Sequence, residues 1–230
     1  MRLDKFLSHA TGMSRTDARR AIKAGRVMLD GASARRADQS LTTDSEVRLD
    51  DRPVVLGGSR YFMLHKPQGY VSATIDSEHP TVIDLMGDEG RRLSIAGRLD
   101  KDTTGLVLLS DDGDWIHAVI SPRRRCAKTY HVTLDAEPDP ALTERFAEGI
   151  QLRGEARLTE PATLVLPGGP HAQVTLVEGR YHQVKRMFAA SGYHVEALHR
   201  VSIGDIVLDP ELAAGEFRAL RPDEINGIIA

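Results

Sequence analysis

The first fifty residues alternate apolar and polar positions at helical spacing and then at strand spacing. Leu3, Phe6 and Leu7 fall on one face of a short helix. A second helix is expected between Ser14, a suitable N-cap, and Gly25, which suits the position after the last turn. Strands are expected over residues 27–31 and 47–49. This pattern predicts a small α/β unit.

Beyond residue 60 the pattern consists mostly of short strands with a few helices. Residues 61–64 read as a strand, 66–70 as a turn, and Val71 and Ser72 as the start of another strand. Two helices are expected, one with Leu142 and Phe146 on a face and Gly149 at its end, and one with Val184, Met187 and Phe188 ending at residues 191–192. We expect an α+β domain.

Residues 50–59 contain paired acids, one proline and two glycines. This composition favours an extended, mobile linker. We therefore expect two domains, residues 1–59 (with the linker) and residues 60–230.

The charge is unevenly distributed between these domains. The net charge of the 230 residues is −3, but residues 1–60 hold 12 Lys or Arg and 8 Asp or Glu, whereas residues 61–230 hold 18 and 25. On the second predicted helix, one basic stripe faces a single direction and is spaced to follow a phosphate backbone; it comprises Arg15, Arg19, Lys23 and Arg26. The alternative is a solvated helix face.

Composition excludes several classes of protein. No apolar run approaches the roughly 18–20 residues that cross a bilayer, and the charged residues 1–5 do not resemble a signal peptide. Cys126 is the single cysteine, so an internal disulfide and a Cys-based metal site are excluded. His194 and His199 are interpreted as structural, and none of the nine histidines has metal-ligand spacing. We expect a cytoplasmic, monomeric protein without metal or membrane contact.

The strongest chemical signal is the polar stretch from Gly97 to Gly113. It places Asp100 on a polar loop that leads straight into the apolar run of residues 106–109. A carboxylate on a loop before a buried strand can act as a nucleophile, a general base or an ion-pair partner. The alternative is an ordinary polar turn. Asp112 and Gly113 are interpreted as a second turn.

Two further segments carry candidate chemistry. Alternation over residues 128–134 turns Tyr130 towards the apolar face, where its hydroxyl needs a partner; a plain core tyrosine is the alternative. Lys185 and Arg186 lie at the start of a predicted helix, where the helix dipole disfavours cations. A negative group should therefore lie nearby, either substrate phosphate or Asp100. Cys126 has basic neighbours that could favour a thiolate, but no Cys-His-Asn arrangement is suggested, so we do not expect it to be catalytic.

These segments resemble one known family. The stretch from Gly97 to Leu106 meets every fixed position of G-R-L-D-x-x-T-x-G-L, the catalytic signature of pseudouridine synthases of the RsuA and RluA type. Residues 128–130 resemble the family's K-x-Y segment, and residues 179–186 resemble G-R-x-H-Q-[IVL]-[RK]-R. His65 stands where the family's N-K-P-x-G segment usually has Asn. Residues 2–31 resemble the S4 RNA-binding domain.

The resemblance implies a fold, a reaction and a set of site residues. The fold would be an S4-like α/β domain followed by a mainly antiparallel sheet with flanking helices. The reaction would be isomerisation of one uridine of 16S rRNA, at position 516, without a cofactor. Asp100 would be catalytic, Tyr130 would stack on the target base, and Lys185 would pair with Asp100. The implied RNA contacts are Arg2, Lys5, Arg15, Arg19, Lys23, Arg26, Arg98, Arg180 and Arg186.

Other readings remain open. Arg98 either fills the space left by a flipped base or contacts a phosphate. The resemblance implies 16S rRNA or a small-subunit assembly intermediate as the partner. The substrate could instead be 23S rRNA or tRNA, or the chain could be a non-catalytic RNA-binding protein, such as an S4-bearing ribosome or stress factor. Glycoside hydrolysis would need a second carboxylate, and Asp102 is expected to face away from Asp100.

Overall fold

The computed structural model describes residues 1–42, 44–55 and 57–229. The chain forms two compact units, Met1–Ser59 and Arg60–Ala230. Among the described residues, no helix is long and apolar enough to cross a membrane.

The N-terminal unit packs two helices on a small antiparallel sheet. The helices are α1 (Leu3–Thr11) and α2 (Arg15–Lys23); the strands are β1 (Val27–Leu29), β2 (Ala32–Ser33), β3 (Val47–Leu49) and β4 (Arg52–Val54), in the order β2-β1-β3-β4. Ser14 caps α2 by accepting a hydrogen bond from the Asp17 amide, and Gly25 follows the helix at a φ of +71°. The apolar helix faces cover β1 and β3.

The predicted linker is wrong in part. Residues 52–54 form β4, which pairs antiparallel with β3, and Asp50 binds Arg26. The local composition of this segment favours an open chain, but the unpaired edge of β3 supplies hydrogen bonds that the local pattern does not reveal. Leu56, which the predicted linker includes, lies outside the described residues.

The second unit is built on a nine-stranded sheet in the described chain. Its strands are β5 (Tyr61–Lys66), β6 (Ser94–Ala96), β7 (Thr104–Ser110), β8 (Lys128–Leu134), β9 (Thr163–Gly168), β10 (His171–Leu176), β11 (Val195–Ile203), β12 (Ile206–Val207) and β13 (Phe217–Ala219). The main order is β13-β5-β7-β11-β8-β10-β9, with β6 on β7 and β12 on β11. Pairing is antiparallel except between β7 and β11. The expected α+β fold with a mainly antiparallel sheet is confirmed.

Helices cover both faces of the sheet around β7. The helices of this unit are α3 (Val82–Met86), α4 (Gly113–Ile120), α5 (Leu142–Glu148), α6 (Gln183–Ala190) and α7 (Pro222–Ile229). Side chains of α3, α5 and α6 belong to the same hydrophobic core as Val107 and Leu109, whereas those of α4 and α7 belong to the core that contains Leu106 and Leu108. Burial on both faces explains the uninterrupted apolar run in β7.

Gly105 fixes the approach of β7 to β11. It pairs with Arg200, and its φ is +106°. A Cβ on Gly105 would lie 2.3 Å from the Arg200 carbonyl oxygen. Only glycine satisfies both demands, so the strand that follows the Asp100 loop has a fixed position.

Two local predictions in this unit are wrong. Asp112 and Gly113 are not an isolated turn: the Asp112 carboxylate accepts hydrogen bonds from the amides of Asp114 and Trp115, so Asp112 is the N-cap of α4. Val71 and Ser72 do not begin a strand; the backbone of Val71 instead pairs with residues 80–82.

Candidate active site

The Asp100 loop connects β6 to β7 and is held on both sides by buried polar groups. On one side, the Ser72 hydroxyl accepts a hydrogen bond from the Leu99 amide and donates one to the Leu99 carbonyl, each 3.0 Å long. Inside the loop, the Thr103 amide donates to the Asp100 carbonyl at 3.1 Å. These hydrogen bonds within the protein therefore fix the backbone that carries the Asp100 side chain.

A buried lysine holds the other side of the loop. Lys66 has no exposed surface, and its ammonium donates to the carbonyls of Pro67, Lys101 and Thr103 at 3.0, 3.3 and 2.7 Å. Burial lowers the pKa of Lys66 to about 8, against the opposing attraction of Asp102 and Asp100. Sequence reasoning took Lys66 as part of a turn and assigned it no function.

Lys185, on the first turn of α6, joins two carboxylates of the loop. Its Nζ lies 3.1 Å from Asp100 Oδ2 and 2.5 Å from Asp102 Oδ1. Burial alone would lower the pKa of Lys185, but hydrogen bonds to Asp102 and Asp100 outweigh it and raise that pKa. The expected negative group near this helix start is thus present. The expectation that Asp102 faces away is wrong, because Asp102 turns back to share the ammonium.

His182 provides a second contact to the Asp100 carboxylate. Its Nε2 lies 3.3 Å from Asp100 Oδ1, so the two carboxylate oxygens of Asp100 face different partners. His182 occupies the left-handed backbone region at a φ of +48°, just before α6. Sequence reasoning missed this residue, and the H-Q pair of its segment was the available signal.

Tyr130 lies in the wall of the cleft beside this cluster. It is 8% exposed and points to the same side of β8 as Val132 and Leu134. The guanidinium carbon of Arg200 is 5.9 Å from the centre of its ring. Arg200 is itself buried and donates to the carbonyls of Leu106 and Gly97, both at 2.8 Å. Sequence reasoning did not single out Arg200.

Asp100 and Tyr130 line the same cleft, whose volume is about 680 Å³. The wall also includes Arg98, Tyr181 and His182. A cleft of this size lies within the range of ordinary ligand sites. Among the described residues, no group of three or more His, Cys, Asp or Glu is arranged to hold a metal ion.

The three arginines proposed for this unit differ in their availability. Arg98 is exposed at the cleft, and no polar contact of its side chain is found among the described residues. Arg180 binds Glu178 at 3.1 Å, and Arg186 binds Glu155 at 3.0 Å. The guanidinium groups of Arg180 and Arg186 also bind backbone carbonyls. These two side chains therefore brace the loops around the cleft.

In the N-terminal unit, three arginines converge on one buried acid. Arg2, Arg15 and Arg19 contact Asp4 Oδ2 at 3.2, 3.1 and 3.0 Å, and each arginine side chain stays about half exposed. Burial alone would raise the pKa of Asp4, but the hydrogen bonds from the arginines outweigh it and lower that pKa. Two members of the predicted stripe, Arg15 and Arg19, are thus organised around a carboxylate.

The remaining basic residues of this unit lie apart from that cluster. Lys23 is exposed on the last turn of α2, and Lys5 is partly exposed on α1. Arg26 lies beyond the end of α2 and pairs with Asp50. The expectation that Arg26 continues the helix face is wrong, because Gly25 redirects the chain into β1.

The remaining candidates do not line the cleft. Burial raises the pKa of Cys126, so the expected thiolate is not favoured. His65 contacts the Leu212 carbonyl, and His199 contacts the Thr104 hydroxyl, each at 2.8 Å. The histidine that replaces the usual Asn therefore binds the backbone of a distant loop.

Two family models match the chain. Residues 60–190 match the family described as RNA pseudouridylate synthase. Residues 1–47 match the S4 domain. The two matches fall in the two compact units, and the first includes Asp100, Tyr130 and Lys185.

Full-length relatives give the same result. The chain is 49% identical to "Ribosomal small subunit pseudouridine synthase A" of Escherichia coli (strain K12), covering 100% of both chains. It is 50% identical to the Yersinia pestis protein of the same name, over 99% of this chain and 98% of that one. A solved structure, "Crystal structure of pseudouridylate synthase", matches with a TM-score of 0.73 and 42% identity over 99% of both chains. The chain belongs to the RNA pseudouridylate synthase family and carries an N-terminal S4 domain, which confirms the family expected from its motifs.

Proposed function

We propose that this synthase converts the uridine at position 516 of 16S rRNA to pseudouridine, with Asp100 as the reacting carboxylate. The observation that carries the proposal is the position of Asp100 in the cleft wall, where Lys185 and His182 each bind one of its oxygens. The choice of RNA rests on the two relatives above, whose names refer to the small ribosomal subunit.

The reaction needs no external group. The N1–C1′ bond of uridine breaks, the uracil turns, and C5 bonds to C1′; the C5 proton is released and N1 gains a proton. Uracil must leave its stack and then remain beside the ribose, and a cleft of this volume has room for both. Asp100 serves by attack on C1′, by attack on the uracil ring, or by removal of a sugar proton.

The neighbouring residues have distinct proposed tasks. Lys185 and His182 fix the direction of the carboxylate. Tyr130 offers its ring to the flipped base, and Arg200 holds that ring from the buried side. Arg98, which is exposed and free to move, enters the gap left in the RNA or binds a phosphate beside it.

The N-terminal unit is proposed to hold structured RNA through phosphates and shape. Three of its arginines are held in place by Asp4 and remain about half exposed. Lys5, Lys23 and Arg26 add further positive charge to this unit. The partner is 16S rRNA or an assembly intermediate that contains it. With this substrate the protein would act as a monomer in the cytoplasm.

The test is a map of pseudouridine in rRNA and tRNA. The protein is expressed in a bacterial strain that lacks its own small-subunit pseudouridine synthase. We expect pseudouridine to return at position 516 of 16S rRNA and at no other position. Restoration at a 23S rRNA or tRNA position would show a different substrate, and no new pseudouridine at any position would contradict the proposal.

A further inference from the structure

Tyr181 is an aromatic side chain displayed at the cleft. The residue is 77% exposed. Among the described residues, several large hydrophobic residues are exposed, and Tyr181 is the aromatic one. It also contributes to the cleft wall that contains Asp100. Burial of this ring would be favourable, so its exposure beside a substrate cleft needs an explanation.

One face of the Tyr181 ring is already stacked. The ring lies on the imidazole of His182, with the ring centres 3.8 Å apart and the planes 21° from parallel. Because so much of the residue is exposed, the opposite face is open to solvent. The outer face of Tyr181 is therefore a flat aromatic surface. The ring directly beneath it is His182, which contacts Asp100.

The backbone beneath this surface is held firmly. Arg186 donates to the Tyr181 carbonyl at 3.1 Å, and the Arg180 amide donates to the Gln183 side chain at 2.8 Å. Glu155 anchors the Arg186 guanidinium at 3.0 Å. A ring on such a fixed segment loses little conformational entropy when a ligand stacks on it.

We propose that the open face of Tyr181 is a stacking site for an unpaired nucleobase next to the target nucleotide. The inference rests on the proposed function. Tyr130 is the more deeply buried of the two rings and is assigned to the target base. The exposed Tyr181 is therefore available to stack on a base next to the target. When one base swings out, its neighbours lose a stacking partner, and aromatic side chains recognise such bases by stacking.

The first test separates binding from chemistry. Tyr181→Leu should raise the KM for 16S rRNA about tenfold and change kcat by less than about threefold, because it removes a stacking surface and no reacting group. Tyr181→Phe should keep the wild-type KM, since the ring suffices. Val207→Ala, at a residue 62% exposed on β12, serves as the control for loss of an exposed apolar side chain.

The second test observes stacking directly. 16S rRNA carrying 2-aminopurine at one or the other nucleotide beside the target is bound to each variant. We expect fluorescence quenching at one of the two positions with the wild type and Tyr181→Phe, and weaker quenching with Tyr181→Leu.

The outcomes distinguish this inference from the proposed function. If the wild type modifies 16S rRNA but Tyr181→Leu has an unchanged KM and unchanged quenching, the stacking site is refuted and the proposed function stands. The exposed Tyr181 ring would then be explained by contact with another protein. If the wild type does not modify 16S rRNA, the proposed function itself fails.

Discussion

Lys185 is suited to a site that contains two carboxylates. An arginine would bind one carboxylate with both arms of its planar fork, whereas an ammonium is a compact charge with three donors that point apart. Here the ammonium contacts Asp100 and Asp102 together. Asp102 therefore helps to position the cation that steadies the proposed reacting group.

Lys66 gives a prediction about stability and pH. Its pKa is lowered to about 8 in the folded protein from the ordinary 10.5, so between these values the unfolded chain binds more protons than the folded one. Folding stability contributed by Lys66 must therefore rise with pH across this window. We expect the free energy of unfolding of the wild type, relative to Lys66→Met, to increase by up to about 3 kcal/mol from pH 8 to pH 10.5.

The measurement is urea unfolding of both proteins at several pH values. A difference between them that stays constant or shrinks over this range would contradict the assignment of a lowered pKa to Lys66. Three backbone carbonyls lose their donor in the variant, so the wild type should be the more stable protein throughout.

The arginine cluster around Asp4, which joins α1 to α2, gives a prediction in which the effect of charge opposes the effect of order. Asp4→Asn removes a negative charge beside three arginines, which by attraction alone should strengthen RNA binding. We expect instead that binding weakens about fivefold, because the arginines lose the acceptor that orders them. Asp17→Asn is the matched control, since Asp17 is an exposed acid on α2, the helix that carries Arg15 and Arg19, and it pairs with Arg20.

Both variants are compared by RNA titration over a range of salt concentrations, with circular dichroism to check folding. Asp4→Glu, which keeps the charge, should recover part of the affinity. Tighter RNA binding by a folded Asp4→Asn protein would contradict this, because Asp4 would then act only by offsetting the positive charge of the three arginines.

Local patterns predicted the elements well and their long-range partners poorly. The buried run of β7, the inward side of Tyr130 and the helix ends at Gly25 and Gly149 follow from periodicity and turn chemistry. The strand β4 could not be predicted, because its partner is supplied by another part of the sheet.

The site shows the same division. The motif around Asp100 and the cations at the start of α6 indicated that a carboxylate and a cationic side chain should lie close together. The return of Asp102 to Lys185 depends on the loop conformation, and the burial of Lys66 and Arg200 depends on strands distant in sequence. Spacing along the chain carries no information on either point.

Across the molecule, positive charge belongs to the N-terminal part and negative charge to the rest. Residues 1–60 carry a net charge of +4 and residues 61–230 a net charge of −7. Around the cleft, Arg180 and Arg186 are matched by Glu178 and Glu155. Long-range attraction to RNA should therefore come mainly from the N-terminal unit, and the cleft should act through shape, stacking and the exposed Arg98.

The most direct test of the Asp100 assignment measures tritium release from 16S rRNA labelled at C5 of uridine. Asp100→Asn should lower the rate by at least about 10³-fold while the Kd for RNA changes by less than about twofold, because the amide keeps the shape but not the charge of the carboxylate. Asp114→Asn, at an exposed acid of α4, should match the wild type in both. Release by Asp100→Asn at a rate near that of the wild type would contradict the proposed role of this carboxylate.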